Sequence, residues 1–158
     1  IDIPDSVAAI ADDAFIGCKA LQSFTLSPNH PYFFLADDAL CRTADSTLLL
    51  YPNARENRTY RIPDGIAAIS AYAFYDCDLL ESVVIPDSIT QIPERAFYGC
   101  SALASVSLPD SLTEIGNGAF SNCTALTLTV TPDSYAAEYA KANNIPYTYP
   151  DANDWLNN

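Results

Sequence analysis

The chain has 158 residues, of which 49% are hydrophobic, and 20 acidic residues against 7 basic ones give it a net charge of −13. This length and hydrophobic content predict one folded domain with a substantial core rather than a disordered chain. The negative charge argues against binding to nucleic acid or to an anionic membrane, and no apolar run approaches the ~20 residues of a membrane span.

A 23-residue repeat organises most of the chain. Its clearest copy, from Ile85 to Leu108, reads IPDSITQIPERAFYGCSALASVSL. A fixed period in this range is typical of solenoids, in which each unit stacks on the next and shares its core. The copies span residues 3–26, 62–85, 85–108 and 108–131, within a single predicted domain of residues 1–150. We place the repeat phenylalanines in the core, namely Phe15, Phe74, Phe97 and Phe120.

Each copy divides into predictable pieces. Pro-Asp-Ser opens a turn, and an apolar-polar-polar-apolar stretch such as Ile89 to Ile92 predicts a short strand. The Ala-Phe-x-x-Cys piece is too short for a stable α-helix and predicts a 3₁₀ or one-turn helix. The closing Leu-x-x-Val-x-Ile/Leu piece predicts a strand with alternating inward and outward side chains. The predicted fold class is therefore a repeat solenoid made mainly of short parallel strands.

Four of the five cysteines occupy one repeat position: Cys18, Cys77, Cys100 and Cys123. Neighbours in a ladder project their Cβ atoms in parallel, whereas a disulfide needs them turned toward each other. We therefore expect reduced thiols that act as small buried hydrophobic side chains. Cys41 lies outside the ladder.

The repeat pattern IPDSIxxIxxxAFxxCxxLxxVxL resembles the BspA-like leucine-rich repeat family of bacterial surface and secreted proteins. The resemblance covers the four copies and the C-terminal segment. It implies a curved right-handed solenoid, an extracellular or cell-surface location, and a role in adhesion or recognition within a longer protein. The first residues themselves lack the basic and apolar segments of a signal peptide.

Residues 27–62 form an insertion between the first two copies. Short apolar runs, Ala39 to Cys41 and Leu48 to Tyr51, predict a β-hairpin with a turn near Asp45. A loop with three basic residues leads back into the second copy: Arg55, Arg58 and Arg61. We read the insertion as an enlarged structural repeat, with a dedicated binding insertion as the alternative.

The fourth copy departs from the pattern because its apolar residues, Leu128 and Val130, come one position early. A one-residue deletion after Leu126, compensated by one extra residue before Pro132, would explain this shift.

Residues 132–150 predict a C-terminal cap, which a repeat array needs at its open end. Ser134 is a candidate N-cap, and a helical stripe follows it: Tyr135, Ala136, Tyr139 and Ala140. Asn143 and Asn144 can end the helix, and an extended piece follows around Pro146. We expect the polar tail, residues 151–158, to dock weakly or fray.

No catalytic, metal or cofactor motif is found. His30, the single histidine, lies in a loop without the pattern of a catalytic triad. A column of turn aspartates follows the repeat prolines: Asp5, Asp64, Asp87, Asp110 and Asp133. We expect each to bond its own backbone, because one carboxylate per repeat does not supply the six oxygens of a calcium site.

Two surfaces are candidates for binding. The closing strands present small, mostly polar side chains outward, among them Ser82, Ser105 and Ser107. On the turns, Tyr75 and Tyr98 should be neighbours across one repeat, with Tyr72 nearby. Exposed tyrosines suit recognition of proteins or sugars, although these rings could instead pack a turn layer. We interpret the chain as a non-enzymatic surface module that recognises protein or glycan partners. A structural spacer is the alternative, and an enzyme is a third that no motif supports.

Overall fold

The computed structural model of the protein describes residues 1–150, which coil into a solenoid of short, mostly parallel strands, as predicted. Within these residues the strands are β1 (Phe33–Ala36), β2 (Ala39–Arg42), β3 (Thr47–Leu50), β4 (Thr59–Arg61), β5 (Ala68–Ile69), β6 (Ser82–Val84), β7 (Gln91–Ile92), β8 (Ser105–Ser107), β9 (Glu114–Ile115), β10 (Thr127–Thr129) and β11 (Tyr147–Thr148), and the helix is α1 (Tyr135–Ala142).

The main sheet is parallel and has the order β11-β10-β8-β6-β4. Its three central strands are the predicted closing strands, and their middle residues, Val83, Val106 and Leu128, all point into the core. Leu128 pairs with Val106 although it lies one position short of the full repeat period, and Val130 is buried. The one-residue shift predicted for the fourth copy is therefore confirmed.

The apolar-polar-polar-apolar stretches of the second to fourth copies form the short strands β5, β7 and β9, as predicted. The same stretch of the first copy, from Val7 to Ile10, forms no strand, so the prediction is wrong there. The Ala-Phe-x-x-Cys piece forms separate turns rather than the expected 3₁₀ or one-turn helix. In the second copy, the Tyr75 N–H donates to the Tyr72 carbonyl, but the flanking amides of Phe74 and Asp76 donate to the next repeat at 2.7 and 2.8 Å. A continuous helix cannot form because alternate N–H groups bind the neighbouring turn of the solenoid.

The insertion is a three-stranded antiparallel meander of β1, β2 and β3. The predicted hairpin of β2 and β3 is confirmed, and β1 is an additional strand that was not predicted from the sequence. Asp37 and Asp38 join β1 to β2 with φ angles of 46° and 73°, the left-handed pair that favours a tight hairpin turn. The predicted basic loop is partly wrong, because Arg61 and its two predecessors form β4 and extend the main sheet.

The main core contains a ladder of aromatic rings. Tyr51, Phe74, Phe97 and Phe120 stack in order at centroid distances of 5.5, 4.7 and 5.3 Å, and Tyr139 of α1 follows at 6.4 Å.

Phe15 does not join this ladder, which corrects the placement predicted for it. Tyr51 lies one repeat period before Phe74 and takes the rung instead. Phe15 is half-buried and meets Phe24 edge-on at 5.4 Å in a second, smaller core.

The C-terminal cap is built by α1 and β11. The Ser134 hydroxyl accepts the Ala137 N–H at 3.1 Å, which confirms the predicted N-cap. The buried side of the helix consists of Ala136, Ala137 and Ala140. Tyr135 was predicted on that side but is 40% exposed, and its hydroxyl oxygen accepts the Ile115 N–H at 3.1 Å. Thus the helix covers the core and β11 covers the edge of β10. The predicted tail, residues 151–158, lies outside the described residues.

Candidate binding surfaces

The outer face of the main sheet carries short side chains in two rows. The first row pairs Thr59, Ser82, Ser105 and Thr127 across four strands, and the second pairs Arg61, Val84, Ser107 and Thr129. Ser82, Ser105 and Ser107 are half-buried and belong to this single face, as predicted. Because the parallel ladder fixes the register and the outward side chains of the central strands are all short, these strands present one continuous face without a bulky side chain.

A groove of about 480 Å³ runs along one margin of this sheet face. Its wall on the sheet side includes Val84, Ser107 and Thr129, and Arg61 lies at its β4 end. The other wall consists of the repeat turns, including the aspartates Asp64, Asp87 and Asp110. Neither this groove nor the place of Arg61 in it was predicted from the sequence, although Arg61 lies one repeat period before Val84.

An ion pair lies at the rim of the sheet face. Arg58 donates to the Glu81 carboxylate, and both side chains are about half-exposed. Exposed pairs of this kind contribute little stability, so these two side chains can be recruited by a partner at low cost.

The predicted tyrosine cluster is present on the outer turns. Tyr75 and Tyr98 stack with centroids 4.9 Å apart and planes 10° apart, while Tyr72 meets Tyr75 at 5.8 Å. All three rings are half-buried. We call these three residues the tyrosine shelf, and it lies apart from the sheet face because its residues belong to the turns that follow the short strands.

Backbone geometry beside the tyrosine shelf makes room for an acidic side chain. Gly99 has φ +76°, and a β-carbon built on it would overlap the Asp76 carboxylate. Glycine at this position therefore leaves room for Asp76, whose carboxylate also pairs with Lys19 of the first repeat at 3.7 Å.

The thiols have a structural role. All five cysteines are free, and Cys77 and Cys100 are buried as expected. Cys18 and Cys123 are only half-buried, so the prediction that the whole ladder is buried is wrong at its first and last members. Cys18 belongs to the first repeat copy and Cys123 to the last, so within the described residues each has a full repeat copy on one side only. Hydrogen bonding with Cys100 and burial raise the pKa of the Cys123 thiol, which disfavours a reactive thiolate.

His30 ties the insertion to the first repeat. Its ring is 7% exposed, and Nδ1 accepts the N–H groups of Tyr32 and Phe33 at 3.2 Å each. Nε2 therefore carries the hydrogen and donates to the Pro4 carbonyl at 3.0 Å. The histidine thus uses both of its nitrogens in structural bonds.

Residues 1–150 present neither a cluster of metal ligands nor a helix suited to a membrane. No three histidine, cysteine, aspartate or glutamate side chains of this part converge to hold a metal ion. One turn aspartate, Asp5, accepts the Ser27 hydroxyl at 2.6 Å. The same part of the chain contains no helix of the length and hydrophobicity that crossing a bilayer requires.

Solved structures similar to this chain are bacterial repeat proteins. A leucine-rich repeat protein from Eubacterium ventriosum is 30% identical, with a TM-score of 0.75 over 80% of this chain and 34% of its own. A leucine rich cell surface protein from Faecalibacterium prausnitzii is 28% identical, with a TM-score of 0.65 over 99% of this chain and 49% of its own. The chain thus spans a third to a half of the length of these two proteins. A search of curated proteins finds no match.

The family comparison agrees with the fold. The sequence matches the profile of the BspA type leucine rich repeat region in six copies, over residues 1–34 and 51–143. The match resumes at residue 51, inside the predicted insertion, where Tyr51 occupies a rung of the aromatic ladder. The profile covers most of the chain and the repeats form the expected solenoid, so this protein belongs to the BspA-type leucine-rich repeat family.

Proposed function

We propose that this protein is a non-catalytic recognition module on a bacterial surface, and that it binds a protein partner through the sheet face and its adjoining groove. Membership of the BspA-type family and the similarity to a leucine rich cell surface protein support the surface location. The single observation that carries the binding proposal is the continuous sheet face of short side chains bordered by a groove of about 480 Å³.

The side chains of the sheet face suit an extended polar partner. Ser82, Ser105 and Ser107 are short, so a partner backbone can approach closely, and their hydroxyls can donate and accept hydrogen bonds. Arg61 at the end of the groove and the turn aspartates along its wall add charges of both signs. Such an arrangement selects a partner by charge and register rather than by one deep hydrophobic pocket.

A binding screen tests this function. The purified protein is passed over immobilised extracellular matrix proteins and defined glycans, with binding followed by surface plasmon resonance. We expect saturable binding to at least one protein on the panel, with an interface near the standard ~800 Å² per partner. A spacer that only separates other domains would give no saturable binding to any member of the panel.

A further inference from the structure

The outer turns carry three rows of side chains with one residue from each repeat. The first row contains Tyr72, Arg95 and Gly118; the second contains Tyr75, Tyr98 and Ser121; and the third contains Asp76, Gly99 and Asn122. Successive members of each row are one repeat period apart in the sequence. The last repeat thus replaces the bulky side chains of the first two rows with glycine and serine.

Tyr98 has one ring face without an aromatic neighbour. Its other face stacks on Tyr75, and no further ring stacks on it within residues 1–150. The backbone nevertheless continues, since the Gly99 N–H donates to the Ser121 carbonyl at 2.9 Å. Inside the core, Phe120 also continues the ladder beyond Phe97. The outer aromatic row therefore ends one repeat before the inner one, and this leaves a step beside Tyr98 with the exposed Ser121 as its floor.

Arg95 borders this step. It is exposed and forms no ion pair with any residue of the described part of the chain. Its side chain lies over Gly118, where an added β-carbon would be 3.4 Å from Arg95 Cγ and 3.4 Å from Ser121 Oγ. Gly118 has φ +66°, a left-handed conformation that Tyr72 and Arg95 also adopt at the same repeat position, so glycine here leaves the step open rather than being required by the backbone. The exposed Asn122 amide follows Ser121.

We propose that this step binds a carboxylated pyranose, a uronic acid residue of a glycan, with the sugar ring stacked on Tyr98 and its carboxylate paired with Arg95. The apolar C–H face of a pyranose packs on an aromatic ring, and the sugar would fill the place of the missing rung. Arginine binds a carboxylate through two parallel N–H groups, and Ser121 and Asn122 offer partners for ring hydroxyls. The net charge of −13 favours a single acidic sugar over a polyanionic chain.

The test compares two sugars that differ only at C6, methyl β-D-glucuronide and methyl β-D-glucoside, titrated into ¹⁵N-labelled protein. We expect the glucuronide to give saturating NMR shifts at the amides of Gly99, Ser121 and Asn122, and to bind more tightly than the glucoside. Tyr98→Ala should weaken glucuronide binding about tenfold. Arg95→Gln should reduce glucuronide affinity to that of the glucoside. Ser121→Tyr should abolish binding of both sugars because it adds the missing aromatic rung.

Control variants separate this site from folding and from the sheet face. Tyr149→Ala removes an exposed tyrosine elsewhere, so it should bind as the unmodified protein does. Ser121→Ala keeps the step open but removes one hydrogen-bonding hydroxyl, so it should bind the glucuronide more weakly without losing it as Ser121→Tyr does. Ser105→Arg should also bind the glucuronide normally, which keeps this inference independent of the protein partner proposed above. Circular dichroism checks that each variant is folded. The inference is overturned if neither sugar shifts these amides, if folded Ser121→Tyr still binds, or if Arg95→Gln leaves the preference for the glucuronide unchanged.

Discussion

Replacing Phe97 with alanine removes the centre of the aromatic ladder. The ring is fully buried and lies between Phe74 at 4.7 Å and Phe120 at 5.3 Å, with interplanar angles of 9° and 10°. Emptying a buried phenylalanine site costs ~3–5 kcal/mol, and stacked rings add to the burial term. Both neighbours are held by their own repeats, so the cavity cannot collapse easily, and we expect a loss of about 4–5 kcal/mol. That is a large share of the ~5–15 kcal/mol by which a domain is stable.

Urea unfolding followed by far-UV circular dichroism measures this loss by linear extrapolation. Phe15→Ala is the matched control, because Phe15 holds the same repeat position but is half-buried in the smaller core. We expect it to lose about 1–2 kcal/mol, in proportion to the smaller area withdrawn from water. A loss below ~1 kcal/mol for Phe97→Ala, or losses of equal size in the two variants, would refute the ladder as the main source of stability.

Three further predictions concern thiols, acid stability and the cap. Burial raises the pKa of the Cys41 thiol to about 12, so at pH 8 a thiol reagent should label Cys41 slowly and half-buried Cys18 faster, as followed by mass spectrometry. Hydrogen bonds from Arg42 lower the pKa of Asp45 from 3.8 to about 2, so this contribution to stability is complete above pH 3.8 and disappears as the pH falls to about 2. Because this pair is largely exposed, Asp45→Asn should flatten the fall in Tm across that window only slightly. A chain ending at Thr131 lacks α1 and β11, so light scattering should show that it self-associates, while a chain ending after β11 stays monomeric.

Three results would contradict these predictions. They are labelling of folded Cys41 as fast as that of Cys18, an acid transition that Asp45→Asn does not change, and a monomeric chain ending at Thr131 that melts like the full chain.

The strands and core of the second to fourth copies could be predicted because their apolar spacing agrees with the global fold. The repeat period places Phe74, Phe97 and Phe120 on one line, and the structure stacks them. The shifted apolar pair of the fourth copy also identified the side chains that point inward. The predicted one-turn helix after each short strand is the exception, because N–H groups such as those of Phe74 and Asp76 bind the next repeat instead.

The insertion could be predicted only in part, because its core residues are not the ones that the repeat pattern requires. Tyr51 and Tyr60 replace the expected phenylalanine and valine, and a search for the repeat by residue type passes over them. Their spacing was the available signal, since each lies one repeat period before its counterpart. Burial raises the pKa of Tyr60, and its hydroxyl donates to the Ala36 carbonyl at 2.8 Å, so a polar ring is accommodated in the core.

The candidate surfaces, too, could be predicted from the sequence only in part. Tyr75 and Tyr98 were expected to be neighbours because they share a repeat position, and their rings stack. The groove and the step beside Tyr98 depend on how turns and strands from different repeats meet in space. In the folded solenoid, Arg61 and Arg95 lie beside residues that are distant from them in the sequence. These contacts could not be predicted from the spacing of residues along the chain.

The most direct test of the proposed recognition function measures how tightly two matched arginine variants bind the partner that the screen identifies. Ser105→Arg places a long charged side chain in the middle of the sheet face, whereas Thr90→Arg places the same side chain at an exposed position outside the sheet face. We predict that Ser105→Arg weakens binding by at least about tenfold, a loss of ~1.4 kcal/mol, and that Thr90→Arg binds as the unmodified protein does. Equal affinities of the two variants, or a partner lost only with Thr90→Arg, would contradict the assignment of the sheet face as the binding surface.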